Sequence, residues 1–296
     1  MADDIFSYLK RFYKQTEKLL GVSFYTTLPI YKPFTSIKEQ NDWSAKSVDP
    51  IFENYIERIW SRSDQISDVN APFGGVVISQ GGILDTQIFL DNVKSLLQQE
   101  ESFKEEYFDC SHISLNETDI LYKDCSTKHL IFCEGIRAND NPYFKKVPIR
   151  SLKGEVIEIE MKGPTDRIYK QSIYVVPTRS ENVFRVGATY DRENVLPGTT
   201  IYARNELESK LKELLTIDFN VTNQDWGIRP TTPDRKPVLG SHPVFKNIVM
   251  FNGLGTKGVS LAPYFSARLM EWLDGEISLD REFNISRFKS LYSRFE

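Results

Sequence analysis

A strand, a glycine-rich turn and a helix near the C-terminus most constrain the fold of this chain. Residues 245–252 form a short apolar run bounded by turn residues, which predicts a buried strand. Residues 259–273 carry apolar side chains at close to a helical period, which predicts a helix. Gly253, Gly255 and Gly258 lie between them. Glycines let the backbone approach a ligand closely, and the first N–H groups of the helix then face that ligand with partial positive charge.

The three glycines have the spacing G-x-G-x-x-G of a dinucleotide fingerprint, but their context differs. That fingerprint requires a second parallel strand after the helix, with an acidic residue about 20 positions further on. Here Asp274, Gly275 and Glu276 and a polar tail follow the helix. We therefore interpret the turn as a helix N-terminus directed at an electron-rich group, and not as a first dinucleotide-binding unit.

Composition narrows the class of protein. The 296 residues, 40% of them apolar, are enough for one large domain or two interleaved domains. The net charge of −4 argues against nucleic-acid binding, which normally requires a basic stripe. Cys110, Cys125 and Cys133 match no metal spacing, and their odd number fits a reducing compartment, so we expect a cytoplasmic protein without a metal site. No apolar run approaches the roughly 20 residues of a membrane helix.

The remaining sequence predicts alternating helices and strands. Helices are expected at residues 4–20, from 36 to 44 with Ser36 and Glu39 as a capping box, and at 51–60, 85–99 and 205–215. Strands are expected at residues 22–30, 73–78, 105–114, 120–123, 128–135, 156–160, 172–177, 183–188 and 218–228. Those between residues 154 and 187 should be antiparallel neighbours. The proline-rich residues 229–237 should form neither a helix nor a central strand.

Three separated motifs occur in a recognisable order. They are I-Y-V-V-P with F-R-V-G-A-T (173–177, 184–189), W-G-I-R-P with P-D-R-K-P-V-L-G (226–230, 233–240), and N-G-L-G-T-K-G-V-S-L-A-P (252–263). Together they resemble the FAD-dependent D-amino-acid oxidase and glycine oxidase family. The resemblance covers nearly the whole chain, and the two C-terminal motifs are its specific part.

This resemblance implies an α/β (α+β) fold of two interleaved domains. An FAD-binding-type domain is expected from residues 1–21, 81–138 and 236–296. A substrate domain with a mostly antiparallel sheet is expected from residues 22–80 and 139–235, with the site in the cleft between the domains.

One departure from the family concerns its opening βαβ unit, which holds the FAD adenosine and pyrophosphate. This sequence does not show that unit. Because every later motif reads as intact, we expect a truncated sequence. The alternative is a protein that does not bind FAD in the manner of the family.

The resemblance also implies roles for the substrate-binding residues. Arg229 would pair with the substrate carboxylate, since a guanidinium fork matches a carboxylate bidentately. Tyr174 and Tyr190 would line the substrate pocket. A surface or ion-paired arginine and core aromatic residues are the respective alternatives.

FAD is the implied cofactor, and the glycine turn its main contact. The residues expected to bind it are Gly253, Leu254, Gly255, Thr256, Lys257, Gly258, Val259, Ser260, Gly135 and Phe108. The helix dipole would stabilise negative charge at flavin N1 and O2. A glycine-rich helix cap without a ligand is the alternative, and for Lys257 a solvated charge. Thr256 stands where amino-acid-oxidising members can carry a second arginine. A threonine there argues against a small amino acid as the substrate.

The function expected from this resemblance is oxidation of the C–N bond of an amino acid or related small-molecule amine. A hydride would pass from the carbon beside the nitrogen to flavin N5, and the imine would hydrolyse. Two other readings stay open. One is an oxidase acting on a carboxymethylamino group of a modified tRNA base, and the other is a flavin-free fragment without catalysis.

Overall fold

The computed structural model describes residues 1–61, 67–116 and 118–291. Its helices are α1 (Ala2–Leu20), α2 (Ile37–Ser47), α3 (Thr86–Gln99), α4 (Ile201–Leu214) and α5 (Gly258–Leu273). Its strands are β1 (Tyr25–Thr26), β2 (Ile30–Pro33), β3 (Ile56–Trp60), β4 (Gly75–Ile78), β5 (Ile83–Leu84), β6 (Ile113–Leu115), β7 (Ile120–Tyr122), β8 (Cys125–Thr127), β9 (Leu130–Phe132), β10 (Arg150–Glu160), β11 (Ile168–Lys170), β12 (Tyr174–Pro177), β13 (Val183–Gly187), β14 (Asn220–Thr231), β15 (Val238–Ser241) and β16 (Ile248–Asn252). The strand and helix expected on either side of the glycine turn are both confirmed, as β16 and α5.

The chain divides into two compact units, each assembled from separated segments. Unit 1 comprises Met1–Ser23, Gln87–Leu152 and Ile228–Glu296, and unit 2 comprises Phe24–Thr86 and Lys153–Gly227.

These boundaries differ from those expected for the two domains. Residues 139–152 and 228–235 group with unit 1, and residues 81–86 group with unit 2. The change at residue 228 matters most, because it places Arg229 in the same unit as the glycine turn. The residues after Arg229 group with unit 1 because they pack closely on that turn.

Unit 1 is organised around strand β16. This strand pairs in parallel with β9 and antiparallel with β15. Ile248, Val249 and Met250 are fully buried, as expected for a strand covered on both faces. A separate antiparallel meander, β6–β7–β8, belongs to the same unit.

Helix α1 packs against α5 in unit 1. Its buried apolar side chains, Ile5, Leu9 and Tyr13, recur every four residues and therefore lie on one face. The helix ends at Gly21, whose φ of 67° is the left-handed conformation that glycine adopts without strain. The helix and stop signal read from the sequence are confirmed.

Unit 2 contains a sheet with the strand order β14-β10-β13-β12-β11-β2-β4-β3. Strands β10, β13, β12 and β11 are successive antiparallel neighbours, which confirms the arrangement expected for residues 154–187. Helix α4 contributes three fully buried leucines, Leu207, Leu211 and Leu214, to the same core as the sheet.

Residues 51–60 do not form the expected helix. The structure has a short 3₁₀ turn at Pro50–Phe52 followed by strand β3, which pairs antiparallel with β4. Trp60 at the end of β3 packs against Tyr31 at a ring-centroid distance of 5.5 Å. Pairing and packing within the sheet therefore outweigh the local apolar pattern.

Two further element boundaries were wrong. Strand β14 continues to Thr231, three residues past its expected end at residue 228, but it is an edge strand, so the expectation of no central strand after that point holds. Because β14 ends the strand order of its sheet, proline is tolerated there. Helix α4 starts at Ile201, earlier than expected, with the Thr200 side chain accepting a hydrogen bond from the Ala203 N–H at 3.2 Å.

Within the part of the chain that the structure describes, no helix is long and apolar enough to cross a membrane. The described residues also contain no group of three His, Cys, Asp or Glu side chains that could hold a metal ion.

His242, which follows β15, is buried in unit 1. Its Nδ1 accepts hydrogen bonds from the N–H groups of Val244 and Phe245, both at 3.2 Å. The Phe245 ring stacks on the imidazole with 5.1 Å between centroids. Burial lowers the pKa of His242 below its usual value.

The depressed pKa of His242 predicts an acid-sensitive unit 1. The unfolded histidine takes up a proton as the pH falls below about 6.5, and each pKa unit of difference is worth about 1.4 kcal/mol. The stability contributed by the neutral ring is therefore present above that pH and lost as the pH falls. We expect the free energy of unfolding to fall less between pH 7 and pH 5 in His242→Gln than in the wild type, measured by urea denaturation. His129→Gln, which removes an exposed histidine, is measured over the same pH range as the control.

Candidate functional site

The glycine turn connects the end of β16 to the start of α5. Gly253 and Gly255 have φ values of 73° and 56°, in the region that favours glycine. A 3₁₀ turn at Gly255–Lys257 leads into α5 at Gly258. The local order of strand, left-handed glycines and helix therefore presents the N-terminus of α5 at the end of a buried strand.

Asn252, the last residue of β16, holds this turn in place. Its Nδ2 donates to the Gly135 carbonyl at 2.8 Å, and its Oδ1 accepts the Gly253 N–H at 2.7 Å. Gly135 follows β9, the parallel neighbour of β16, so one buried side chain joins the residues after two adjacent strands. The Gly253 N–H is consequently engaged within the protein. Sequence reasoning assigned no role to Asn252, although a polar residue ending a buried strand was a usable signal.

The segment after Arg229 packs directly on the glycines. A Cβ at Gly253 would lie 2.8 Å from the Thr232 Cγ2, and one at Gly255 would lie 3.4 Å from the Thr231 Cγ2. A Cβ at Gly135 would lie 3.8 Å from the Pro230 Cγ. The structure thus brings Gly135, Gly253 and Gly255 against the residues that follow Arg229.

Arg229 is half-buried near the end of β14. The strand is anchored two residues later, where the Thr231 hydroxyl donates to the Arg150 carbonyl at 2.9 Å. Arg229 is therefore less exposed than an arginine on the open surface, and the strand that carries it is held in place. Its role towards a carboxylate stays a prediction.

The N-terminus of α5 keeps its positive partial charge. No side chain caps this end of the helix, and its first turn contains no acidic residue. Within the turn, the Lys257 N–H donates to the Leu254 carbonyl at 3.1 Å, and the Ser260 hydroxyl donates to the Lys257 carbonyl at 3.0 Å. Thr256, Lys257 and Val259 are exposed, whereas Leu254, Gly258 and Ser260 are half-buried. An electron-rich ligand group would therefore meet no carboxylate of the helix itself.

Phe108 lies in an aromatic cluster of unit 1. Its ring stacks on Tyr122 with 4.1 Å between centroids and meets Phe132 edge-on at 5.8 Å. Phe108 also lines a cavity of about 1420 Å³, together with Glu134 and Arg137 from either side of the Gly135 position. Phe108 therefore lines this cavity, and residues on either side of Gly135 line it as well.

Tyr174 and Tyr190 lie in unit 2, at one end of the β12–β13 pair. Tyr174 pairs with Gly187, and a Cβ there would lie 2.6 Å from the Tyr174 hydroxyl. Tyr190 follows Gly187 by three residues and is 65% exposed, so it is not the core aromatic that was the alternative. Tyr174 is half-buried.

A buried polar network holds the segment that carries Tyr190. The Glu155 N–H donates to the Thr189 hydroxyl at 2.9 Å, and the Lys153 and Asp191 backbones exchange hydrogen bonds of 2.8 and 2.9 Å. The buried Glu155 carboxylate accepts bonds of 2.7–2.9 Å from the Thr200 N–H, the Thr200 hydroxyl and the Gln224 amide. It also lies 3.4 Å from the buried Lys153 ammonium. Sequence reasoning assigned no role to Lys153 or Glu155 and missed this network.

The residues around the turn fit the flavin end of FAD. The uncapped N-terminus of α5 suits the electron-rich pyrimidine edge, and the nearest neighbour of a Cβ built at Gly258 lies 4.0 Å away, whereas the space beside Gly253 is filled by Thr232. Phe108 and the cavity supply aromatic surface and space within the same unit.

The fold is similar to that of glycine oxidase. The crystal structure of glycine oxidase from Geobacillus kaustophilus superposes with a TM-score of 0.77 at 14% identity, covering 96% of this chain and 80% of that one. The α/β fold implied by the resemblance is confirmed.

Sequence comparison then identifies the family. The model of the FAD dependent oxidoreductase family, DAO, matches residues 8–272, and the chain belongs to this family. FAD, the cofactor in the name of the family, and the predicted relationship are thereby confirmed.

Two relatives each align with about half of this chain. The bifunctional protein ThiO/ThiG of Trichormus variabilis is 27% identical over 173 residues, which are 55% of this chain and 26% of the relative. The tRNA 5-methylaminomethyl-2-thiouridine biosynthesis bifunctional protein MnmC of Idiomarina loihiensis is 27% identical over 155 residues, 48% of this chain and 25% of the relative. The matched part thus spans about a quarter of the length of these curated relatives.

The geometry of the turn predicts that Gly253 and Gly258 respond differently to an added methyl group. Gly253→Ala combines a left-handed φ with a contact of 2.8 Å, and should lower the stability of unit 1 by about 1–3 kcal/mol. Gly258 has a helical φ of −52°, and its nearest neighbour, the Leu254 Cβ, is 4.0 Å away. Gly258→Ala is therefore the matched control, with little loss expected. Urea denaturation of the apoprotein measures both, and equal stability of the two variants would contradict the packing described.

Proposed function

We propose that this chain is part of an FAD-dependent oxidoreductase that oxidises the C–N bond of an amino acid or a related amine bearing a carboxylate. The observation that carries the proposal is the packing of the segment after Arg229 on the glycine turn that begins α5. This packing puts Arg229, the side chain proposed to bind the carboxylate, and an uncapped helix N-terminus in one unit.

Arg229 fixes the orientation of the substrate in this proposal. Its guanidinium offers two parallel N–H donors to a carboxylate, which sets the position of the α-carbon as well as the charge of the ligand. The anchoring of β14 through Thr231 holds the base of this side chain. Binding of the carboxylate therefore selects the carbon that reacts.

The glycine turn and α5 provide the electrostatic part. FAD, when bound, accepts a hydride from the carbon beside the amine nitrogen. The N-terminus of α5 would hold the electron-rich edge of the flavin through its partial positive charge, and it would need no reorganisation because Asn252 already fixes the turn. No side chain has to act as a base if the amine binds in its neutral form.

Tyr174 and Tyr190 keep their predicted role as substrate contacts. The exposure of Tyr190 and the position of both tyrosines at one end of β12–β13 support it. For the location of the protein we propose the cytoplasm, a proposal supported by the free thiols of Cys110, Cys125 and Cys133.

A second candidate function is supported by the likeness to the tRNA-modification protein of Idiomarina loihiensis. Its substrate would be an amine on a modified tRNA base instead of a free amino acid. The net charge of −4 weighs against it, because tRNA binding normally requires a basic surface.

The proposal predicts that the protein, reconstituted with FAD, is yellow and loses its colour anaerobically with a carboxylate-bearing amine. Glycine, sarcosine, proline and a methylamine without a carboxylate form the test panel, and absorbance of the flavin is the measurement. Decolouration by undermodified tRNA alone would favour the second candidate. If the protein takes up no FAD, the remaining hypothesis is a flavin-free fragment without catalysis.

Arg229→Gln should raise the substrate concentration needed for half-maximal decolouration. Loss of a charge-assisted bidentate pair worth about 3 kcal/mol corresponds to roughly a 10²-fold lower kcat/KM. Arg185→Gln is the control, because Arg185 is exposed and pairs with Glu158 on the neighbouring strand. Equal loss in the two variants would rule out a specific role for Arg229.

A further inference from the structure

Helix α5 contains a proline close to its N-terminus. Pro263 has no N–H, and in an α-helix that group would bond the carbonyl four residues earlier. The carbonyl in question belongs to Val259, in the first turn of α5. In the first turn of α5, the Val259 carbonyl therefore has no N–H donor four residues later in its own helix.

Tyr13 of helix α1 supplies the missing donor. Its hydroxyl donates to the Val259 carbonyl at 2.7 Å, across 246 positions of the chain. Tyr13 is only 2% exposed, and its ring meets Phe89 edge-on with 5.6 Å between centroids. The donor is thus held in place by packing, and the bond crosses the contact between α1 and α5.

We infer that Tyr13 is a positioning residue for the cofactor-binding turn, acting through the first turn of α5. Without its hydroxyl, the Val259 carbonyl must find a water molecule, and the proline ring already crowds that carbonyl. Movement of the first turn would displace the amides of residues 255–260. The part of the inference that concerns FAD rests on the proposed function, whereas the part that concerns the turn does not.

The test uses a cycle of variants, Tyr13→Phe, Pro263→Ala and the two combined. Pro263→Ala restores an N–H at the position that normally bonds the Val259 carbonyl, so the hydroxyl becomes dispensable. Tyr8→Phe is the matched control, because Tyr8 lies on the same helix and contacts the Tyr264 ring of α5 edge-on. Hydrogen exchange of residues 254–260 in the apoprotein is the first readout, and the Kd for FAD is the second.

We expect Tyr13→Phe to speed exchange at residues 254–260 and to weaken FAD binding about tenfold, the size of one hydrogen bond of about 1.4 kcal/mol. Tyr8→Phe should change neither quantity. In the Pro263→Ala background, Tyr13→Phe should no longer have an effect. This rescue separates a specific bond from a general loss of stability.

Unchanged exchange at residues 254–260 in Tyr13→Phe would overturn the inference. So would a loss that is the same with and without Pro263, since it would show a merely structural tyrosine. If the wild type takes up no FAD, but exchange responds to Tyr13→Phe and is rescued by Pro263→Ala, the proposed function fails while the positioning of the turn is upheld.

Discussion

The burial of strand β16 is the constraint on which unit 1 depends. Its neighbours β9 and β15 occupy both edges, and Ile248, Val249 and Met250 are fully buried. A strand fixed so completely cannot shift by one residue without turning its side chains to the opposite faces. The position of Asn252 is therefore set by the core, and the glycine turn takes its place from Asn252. The buried core of unit 1 therefore sets the position of the backbone that forms the candidate site.

The two units position their functional residues by different means. In unit 1, contact distances that only glycine permits bring the residues after Arg229 onto the turn. In unit 2, the buried Glu155 carboxylate gathers donors from Thr200 and Gln224 and supports the segment of Tyr190. A buried carboxylate is stable only when its oxygens are satisfied, so this network is specific to one arrangement of the chain. Both devices lie outside the side chains expected to touch a ligand.

Local signals explain what the sequence predicted correctly. Helix α1, its stop at Gly21 and the cap of α2 by Ser36 depend on neighbouring residues alone. Strand β3 was not predicted because its pairing with β4 cannot be inferred from residues 51–60 alone. The bond from Tyr13 to Val259 could not be found either, since the residues are 246 positions apart and tyrosines are common in this chain. The motif at residues 252–263 predicted the turn and includes Asn252, but Gly135, which accepts the Asn252 hydrogen bond, and Tyr13 lie elsewhere in the chain.

The junction at Asn252 also bears on the chemical durability of the protein. Asparagine followed by glycine is the pair in which a backbone nitrogen most readily attacks the side-chain amide, releasing ammonia and forming a cyclic imide that water opens to aspartate or isoaspartate. Here the native hydrogen bonds hold both the amide group and the Gly253 nitrogen, which slows the reaction while the fold is closed. A carboxylate in that place would confront the Gly135 carbonyl with an acceptor instead of a donor. Ageing of this one residue would therefore release the turn permanently, and each local opening of the strand end brings that event closer.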